Sequence, residues 1–316
     1  MIGMSGAKPR VIFFGSRDSR FSDELFYSLA GTECDIAAVV HSPEGRMGST
    51  SGNKAGSGYP GLAESMGLPC FEPDNPNSPE FTEMLRSIPC DLFIAAGYVM
   101  LMKKELLSLP EKGIAINFHA SLLPDYKGKH PVFWAIRCGE TRSGITAHHM
   151  SEKIDEGHIA FQEAVDIGPG DSVSDVYGKV IEKSRAVMTE LMKAVNAGSI
   201  PAIPQKGAGS YYSSIREEDY ILDFSLPANR NKWAVQATPG KCYFNTPHGR
   251  IYAFDALAMP GVDGGEDGVI IDMDDGGLTV SSGGAAVRFG RLSMDGKPAG
   301  AGGLARSLGY NVGDKL

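Results

Sequence analysis

The 316-residue chain is 42% hydrophobic and 22% charged, which gives enough apolar material for a sizeable core and room for two domains. A formal charge of −8 argues against a surface built to grip nucleic-acid phosphates. Five scattered cysteines without a Cys-x-x-Cys pair argue against a disulfide framework or structural zinc and imply a reducing cytoplasm, and the polar start, residues 1–10, matches neither a signal peptide nor a membrane span.

Apolar runs at 10–14, 35–41, 69–71, 91–96, 115–119, 144–150 and 159–165 predict short strands, with helical patterns near 22–30, 61–66, 79–86, 103–107 and 132–139 between them. This alternation is the pattern of βαβ units and predicts an α/β, Rossmann-like, mainly parallel sheet. Val173, Val176, Val180, Val187, Leu191 and Val195 recur at spacings of three, four and seven, so 172–196 is expected to form a long amphipathic helix stopped by Gly198. The stretch 199–214, rich in Pro, Gly, Ser and Tyr, reads as a linker. Beyond it, 241–245, 250–258, 269–273, 278–281 and 286–292 alternate as strands between Gly- and Asp-rich turns, which predicts a small barrel-like β domain. The expected division is a catalytic domain over 1–200, a linker over 201–214 and a C-terminal β domain over 215–316.

Asn117 and His119 stand at i and i+2 of a predicted strand, so both side chains leave one face at its carboxyl end, where open α/β sheets bind ligands. The bland alternative is a strand end whose polar residues cap a turn. Downstream, 144–162 reads as a strand, a turn and a returning strand, with Asp155 at the turn and Gly157 permitting the reversal. A carboxylate delivered there can orient and charge the imidazole. An amide donor, an imidazolium and a carboxylate suit the stabilisation of an oxyanion during proton transfer, with no side-chain nucleophile. Three other signals are weaker. The glycine-rich run 48–58 lacks Gly-Lys-Ser/Thr, "FFGSRDSRF" lacks G-x-G-x-x-G and so gives no support to a nicotinamide cofactor, and adjacent His148 and His149 face opposite sides, against a shared metal.

The run "NFHASLLPDYKGKHPVFWAIRCGETRSGITAHHMSEKIDEGHIAFQ" resembles the catalytic region of the folate-dependent formyltransferases, whose pattern is N-x-H-x-S-L-L-P, a glycine-containing turn, G-[IV]-T and an [ILA]-D-x-G turn. "VIFFGS" resembles that family's first strand and loop, and "FIAAGYVMLMKKELLSLP" its folate-side strand, loop and helix. The final stretch from Gly249 is similar to the OB-like β domain of the methionyl-tRNA and amino-sugar members. The resemblance implies formyl transfer from N10-formyltetrahydrofolate to a primary amine, without a metal, and gives Asn117, His119 and Asp155 the catalytic roles. It also implies folate contacts from Gly97, Tyr98, Val99, Met100, Leu101 and Ile154, with Ser16, Ser121, His130 and Trp134 on the acceptor side.

The acceptor is read from departures within the family. The tRNA enzymes carry a basic loop after the second strand; here that loop keeps Arg46 and adds only Lys54. From Gln205 onward, 11 Lys and Arg stand against 13 Asp and Glu, leaving no net positive field. "YKGKHPVFWAI" looks closer to the aromatic form found in amino-sugar and peptide-synthetase formyltransferases than to the Arg-Gly-Ala-Ala-Pro form of the tRNA enzymes. The expected acceptor is therefore a small amine, such as an amino-sugar nucleotide or an amino-acid derivative. Methionyl-tRNA is the disfavoured alternative, and formyltetrahydrofolate hydrolysis is a second one. No membrane partner is expected, and a homo-oligomer is left open.

Overall fold

A computed structural model describes residues 8–17, 19–43 and 58–316; the glycine-rich run up to residue 57, with Arg46 and Lys54, lies outside them. Along the first two hundred residues come β1 (Arg10–Ser16), α1 (Arg20–Ala30), β2 (Asp35–Ser42), α2 (Tyr59–Ser65), β3 (Cys70–Phe71), α3 (Pro79–Arg86), β4 (Leu92–Ala96), α4 (Lys104–Leu107), β5 (Ile114–His119), β6 (Lys127–Gly128), α5 (Pro131–Cys138), β7 (Arg142–His149), β8 (Ile159–Asp166) and α6 (Val173–Asn196). Two compact units result. The first holds the chain up to Gly128 with 143–165 and 177–211; the second holds 129–142, 166–176 and 212–316.

The sheet of the first unit runs β3-β2-β1-β4-β5-β7-β8. Its first five strands are mutually parallel and β7 is antiparallel to β5, so the expected mainly parallel, Rossmann-like sheet is present. A sheet with helices on both faces must be apolar on both, which is why β1 reads as a continuous apolar run rather than an alternating one. Ile12 and Phe14 pack with Val40, Phe81, Leu85 and Phe93. Phe13, on the opposite face, meets the rings of Phe26 and Tyr59, each at 5.3 Å. Helix starts are set by side-chain oxygens that take free N–H groups: Ser19 accepts from Ser22 N at 3.2 Å and Ser78 from Phe81 N at 3.2 Å, with Pro79 at the first position of α3. The predicted helix over 172–196 is α6, whose apolar stripe buries Val176, Val180, Val187, Leu191 and Val195.

The strand order reverses between β1 and β4, and a crevice for ligands opens at such a point beyond the carboxyl ends of the strands. Ser16 Oγ spans the two ends, donating to the Gly97 carbonyl at 2.7 Å.

The rest of the chain forms β9 (Tyr211–Tyr212), α7 (Ala228–Ala237), β10 (Tyr243–Thr246), β11 (Gly249–Ala253), β12 (Leu257–Met259), β13 (Ile270–Asp274), β14 (Gly277–Ser282), β15 (Ala285–Phe289), β16 (Arg291–Ser293), β17 (Ala299–Gly300) and α8 (Ala301–Ser307). Instead of one simple series of strands, the second unit has two four-stranded antiparallel sheets, β10-β11-β16-β17 and β12-β15-β14-β13. Phe244 and Ile251 of one sheet and Val280, Val287 and Phe289 of the other share a core.

The strands expected over 250–258 and 286–292 each break in two, and their halves belong to different sheets. Asp255 supplies the reason. Its Oδ1 accepts the N–H groups of Gly290 at 2.7 Å and Arg291 at 3.1 Å, and its Oδ2 pairs with Arg291 Nε at 2.7 Å. A carboxylate that takes two backbone donors competes with the ladder, so both runs turn at one corner. Among the described residues no helix is long and apolar enough to cross a membrane.

Candidate active site

The alternation of β5 leaves Asn117 half-buried and His119 buried at the carboxyl end of the strand. Asp155, beyond β7, adopts the left-handed backbone conformation, φ 54°. Its carboxylate stands between the other two groups: Asn117 Nδ2 lies 3.4 Å from Oδ1 and His119 Nδ1 3.5 Å from Oδ2. The other ring nitrogen, Nε2, is 2.8 Å from the Tyr126 carbonyl oxygen, which anchors the imidazole and leaves Nδ1 facing the carboxylate. Gly128 N–H donates to Asp155 Oδ2 at 2.9 Å.

Burial pushes the His119 imidazole below its ordinary value, and nearby His148 adds to this, while Asp155 and the Tyr126 carbonyl oppose it. For Asp155, burial favours the neutral acid, but His119, His148 and the Gly128 N–H outweigh it and hold the carboxyl well below the usual carboxylate range. The carboxylate therefore stays charged next to a ring that releases its proton readily. Two titratable groups pushed apart in this way, beside an amide donor, can stabilise developing negative charge and relay a proton.

His148 also belongs to this site, a placement that strand alternation alone does not reveal. Antiparallel pairing of β5 and β7 sets it directly opposite Asn117. Its Nε2 is 3.1 Å from Asn117 Nδ2 and 3.3 Å from Asp155 Oδ1, and its Nδ1 is 3.0 Å from the His149 carbonyl oxygen. His149 turns away to the Pro201 carbonyl, 2.8 Å from its Nε2.

The residues expected to touch folate lie on two loops of the same unit. Gly97 has φ 68°, and a Cβ there would come within 2.9 Å of Ser22 Oγ, so both backbone and space demand glycine. Tyr98 packs edge-on against Phe14 at 5.4 Å and its hydroxyl meets Met100 Sδ at 3.6 Å, with Val99 half-buried between them. Leu101 is 50% exposed and Ile154 47% exposed. Asn77 fixes the end of the first loop, donating to the Leu101 carbonyl at 2.8 Å and accepting from Lys103 N at 2.7 Å.

The four acceptor-side residues differ in their surroundings. Ser16 is buried and shares a 2.8 Å hydrogen bond with Ser42 Oγ in addition to its bond to Gly97. Ser121 is fully buried and donates to the Asp125 carbonyl at 2.7 Å, shaping the turn after β5. His130 and Trp134 belong to the second unit. There His130, φ 54°, precedes α5, and Trp134 stacks on Tyr212 with centroids 4.8 Å apart while donating to the Ser213 carbonyl at 3.3 Å. Among the described residues no group of three or more His, Cys, Asp and Glu could hold a metal ion.

Residues 9–192 match the family model described as Formyl transferase. Methionyl-tRNA formyltransferase of Thermotoga neapolitana is 31% identical over 294 residues, covering 91% of this chain and 91% of that relative. Among solved structures, WlaRD, a sugar 3N-formyltransferase determined in the presence of dTDP and 5-N-formyl-THF, aligns with a TM-score of 0.65 at 15% identity, over 90% of this chain and 98% of that one. HypX from Aquifex aeolicus in complex with tetrahydrofolic acid aligns with a TM-score of 0.59 at 17% identity over 98% of this chain, which spans about half (49%) of the HypX chain. The likeness to WlaRD and HypX shows a shared fold; the family match and the Thermotoga relative add descent, and the chain belongs to the folate-dependent formyl transferase family.

Proposed function

We propose that this chain transfers a formyl group from N10-formyltetrahydrofolate to the primary amine of a small acceptor, an amino-sugar nucleotide or an amino-acid derivative, with Asn117, His119 and Asp155 as its catalytic groups. The observation that carries the reading is the convergence of an amide and an imidazole on one buried carboxylate, at 3.4 and 3.5 Å. The cofactor, when bound, supplies an electrophilic formyl carbon. Gly97, Tyr98, Val99, Met100, Leu101 and Ile154 would hold it. The fit is supported by the apolar surface that Leu101 and Ile154 leave uncovered, which suits a flat aromatic ring system.

Asn117 Nδ2–H stabilises the oxygen that gains negative charge as the amine attacks. One such donor is worth about 3–4 kcal/mol in comparable sites. With Nε2–H held on the Tyr126 carbonyl, Nδ1 of His119 would take the proton that the amine loses, and the ring, charged and oriented beside Asp155, would pass that proton to N10 of the folate as the bond between N10 and the formyl carbon breaks. On this reading residues 1–200 are the catalytic domain, 201–214 a linker and 215–316 an OB-like accessory domain.

The small acceptor is supported by the charges of the second unit, where arginines sit against acids: Arg288 on Asp272 at 3.1 Å and Asp274 at 2.6 Å, Arg291 on Asp255 at 2.7 Å, Arg250 on Glu217 at 2.6 Å. Paired guanidinium groups offer little attraction to a phosphate backbone. One observation favours tRNA instead, namely the 31% identity to a methionyl-tRNA formyltransferase over nearly the whole of both chains. Incubation with N10-formyltetrahydrofolate and a panel of methionyl-tRNA, nucleotide-linked amino sugars and free amino acids separates the two, read as a mass gain of one formyl group. A formylated small amine is expected, and His119→Ala should bind folate yet lose about 100- to 1000-fold in kcat. Formylation of the tRNA alone would overturn the small acceptor, formate released without any acceptor would favour hydrolysis, and wild-type turnover by His119→Ala would overturn the catalytic assignment.

A further inference from the structure

Among the described residues only three other than glycine have a left-handed backbone, and two of them frame the catalytic set: Asp155, φ 54°, and Tyr126, φ 58°, whose carbonyl anchors His119. Side chains tolerate that conformation only where their surroundings enforce it. For both residues the enforcement comes from one stretch, 205–210. Gln205 Nε2 donates to the Asp155 carbonyl at 2.7 Å and to the Gly157 carbonyl at 2.8 Å, so that one amide clamps both ends of the Asp155 turn. Ser210 Oγ accepts from Tyr126 N at 2.8 Å, and Ser210 O accepts from Lys127 N at 2.9 Å. Between these contacts Gly209 lies so close that a Cβ would overlap the Pro124 carbonyl oxygen.

The Gln205 amide has a further peculiarity: its Oε1 is buried and finds no hydrogen-bond partner among the described residues. Both neighbours of Nε2 are carbonyl acceptors, so the opposite orientation would set oxygen against oxygen. The side chain forgoes an acceptor bond to keep two donor bonds to the Asp155 turn.

We propose that Gln205 and Ser210 are positioning residues for the formyl-transfer site, acting through Asp155 and Tyr126 on His119. The proposal rests on the catalytic reading above. Gln205→Met keeps the volume and removes both donors; Gln205→Glu keeps the shape but sets a carboxylate against two carbonyls. The titratable groups facing the His119 ring are Asp155, which raises its proton affinity, and His148, which lowers it. Freeing Asp155 from its place should therefore move the His119 titration to lower pH.

The test is NMR titration of the full chain labelled with 15N-histidine, with His119 assigned by its loss in His119→Ala, together with kcat, KM and Tm. Turnover is measured with N10-formyltetrahydrofolate and whichever member of the acceptor panel the wild type formylates. In Gln205→Met the His119 midpoint should fall and kcat should drop about tenfold or more, with KM for folate changed less than about twofold. Gln205→Glu should be worse and Ser210→Ala milder in the same direction. A lower Tm with an unmoved His119 midpoint and a wild-type kcat per folded molecule would mean a merely structural role and would overturn the proposal; should Gln205→Met fail to fold, Ser210→Ala decides by the same criteria. Asp155→Asn separates the two levels. If it is inactive while Gln205→Met matches the wild type, only the positioning role fails, whereas full turnover by Asp155→Asn would sink the catalytic reading itself.

Discussion

His148 Nδ1 faces the carbonyl oxygen of His149 at 3.0 Å, so that nitrogen carries a proton; Nε2 accepts from the Asn117 amide at 3.1 Å when the ring is neutral and donates to Asp155 Oδ1 at 3.3 Å when it is charged. The second Asn117 N–H is directed at Asp155 Oδ1, 3.4 Å away, so the amide is held from two sides, and misplacement of a reacting or donor group by about 1 Å can cost up to about 100-fold in rate. His148→Phe, which keeps a ring but no acceptor, is expected to lower kcat roughly 10- to 100-fold with KM for folate little changed. His148→Gln, with Oε1 near the former Nε2 position, should recover much of that loss. Steady-state kinetics decide the point: equal kcat for His148→Phe and wild type would remove His148 from the site. The residue was hidden in the sequence for a definable reason. Alternation along "TAHH" says that His148 and His149 face opposite sides, but which strand stands opposite is a property of sheet order. Asn117 and His119 were legible because both lie on one strand, where a spacing of two is enough.

At the scale of elements, the turn after β7 shows how space as well as backbone conformation selects a residue. A Cβ at Gly157 would overlap the His149 carbonyl oxygen, in the segment where His149 N–H donates to the His158 carbonyl at 2.8 Å. Gly157→Ala must push β7 and the returning chain apart, and an overpacked site of this kind costs typically about 1–3 kcal/mol. The expected result is a Tm lower by several degrees together with a kcat loss, because the same movement displaces Asp155. Wild-type Tm in that variant would show that the turn relaxes freely. Elements whose residues repeat with their own period were readable, α6 from its valine and leucine stripe and β1 from an apolar run too uniform for an exposed face. The strands expected over 250–258 and 286–292 were each drawn too long, because their breaks depend on Asp255 taking N–H groups from residues 35 and 36 positions away. No local pattern encodes a partner that distant. The same holds for 205–210, which lies inside the stretch 199–214 whose wealth of Pro, Gly, Ser and Tyr reads as a linker and gives no hint of the bonds that Gln205 and Ser210 make.

For the whole molecule, buried imidazoles make stability depend on pH in a predictable direction. Burial pushes His41, His119 and His130 below the ordinary imidazole value, with Arg17 adding to the effect at His41, His148 at His119 and Lys129 at His130. In the unfolded chain these rings titrate near pH 6.5, at about the model-peptide value. As pH falls below that point the unfolded chain takes up protons that the native protein refuses, so acidification favours unfolding, and above it the contribution is flat. Asp155 works in the same sense in a lower window. Its folded carboxyl is held well below the usual range, so the stability it confers is complete above the unfolded value of about 4 and is lost as pH falls further. The expected Tm profile is therefore level above about pH 7, declines through pH 6.5 to 5 and declines again below about pH 4. His41→Asn should reduce the first decline without touching the second, since His41 is buried beside Arg17 and Glu72 and the second decline belongs to Asp155. Calorimetry across pH 3.5 to 8 checks this; a Tm that rises on acidification from pH 7 to 5 would mean that the acidic partners of these rings outweigh their burial, and the sign assigned to them would be reversed.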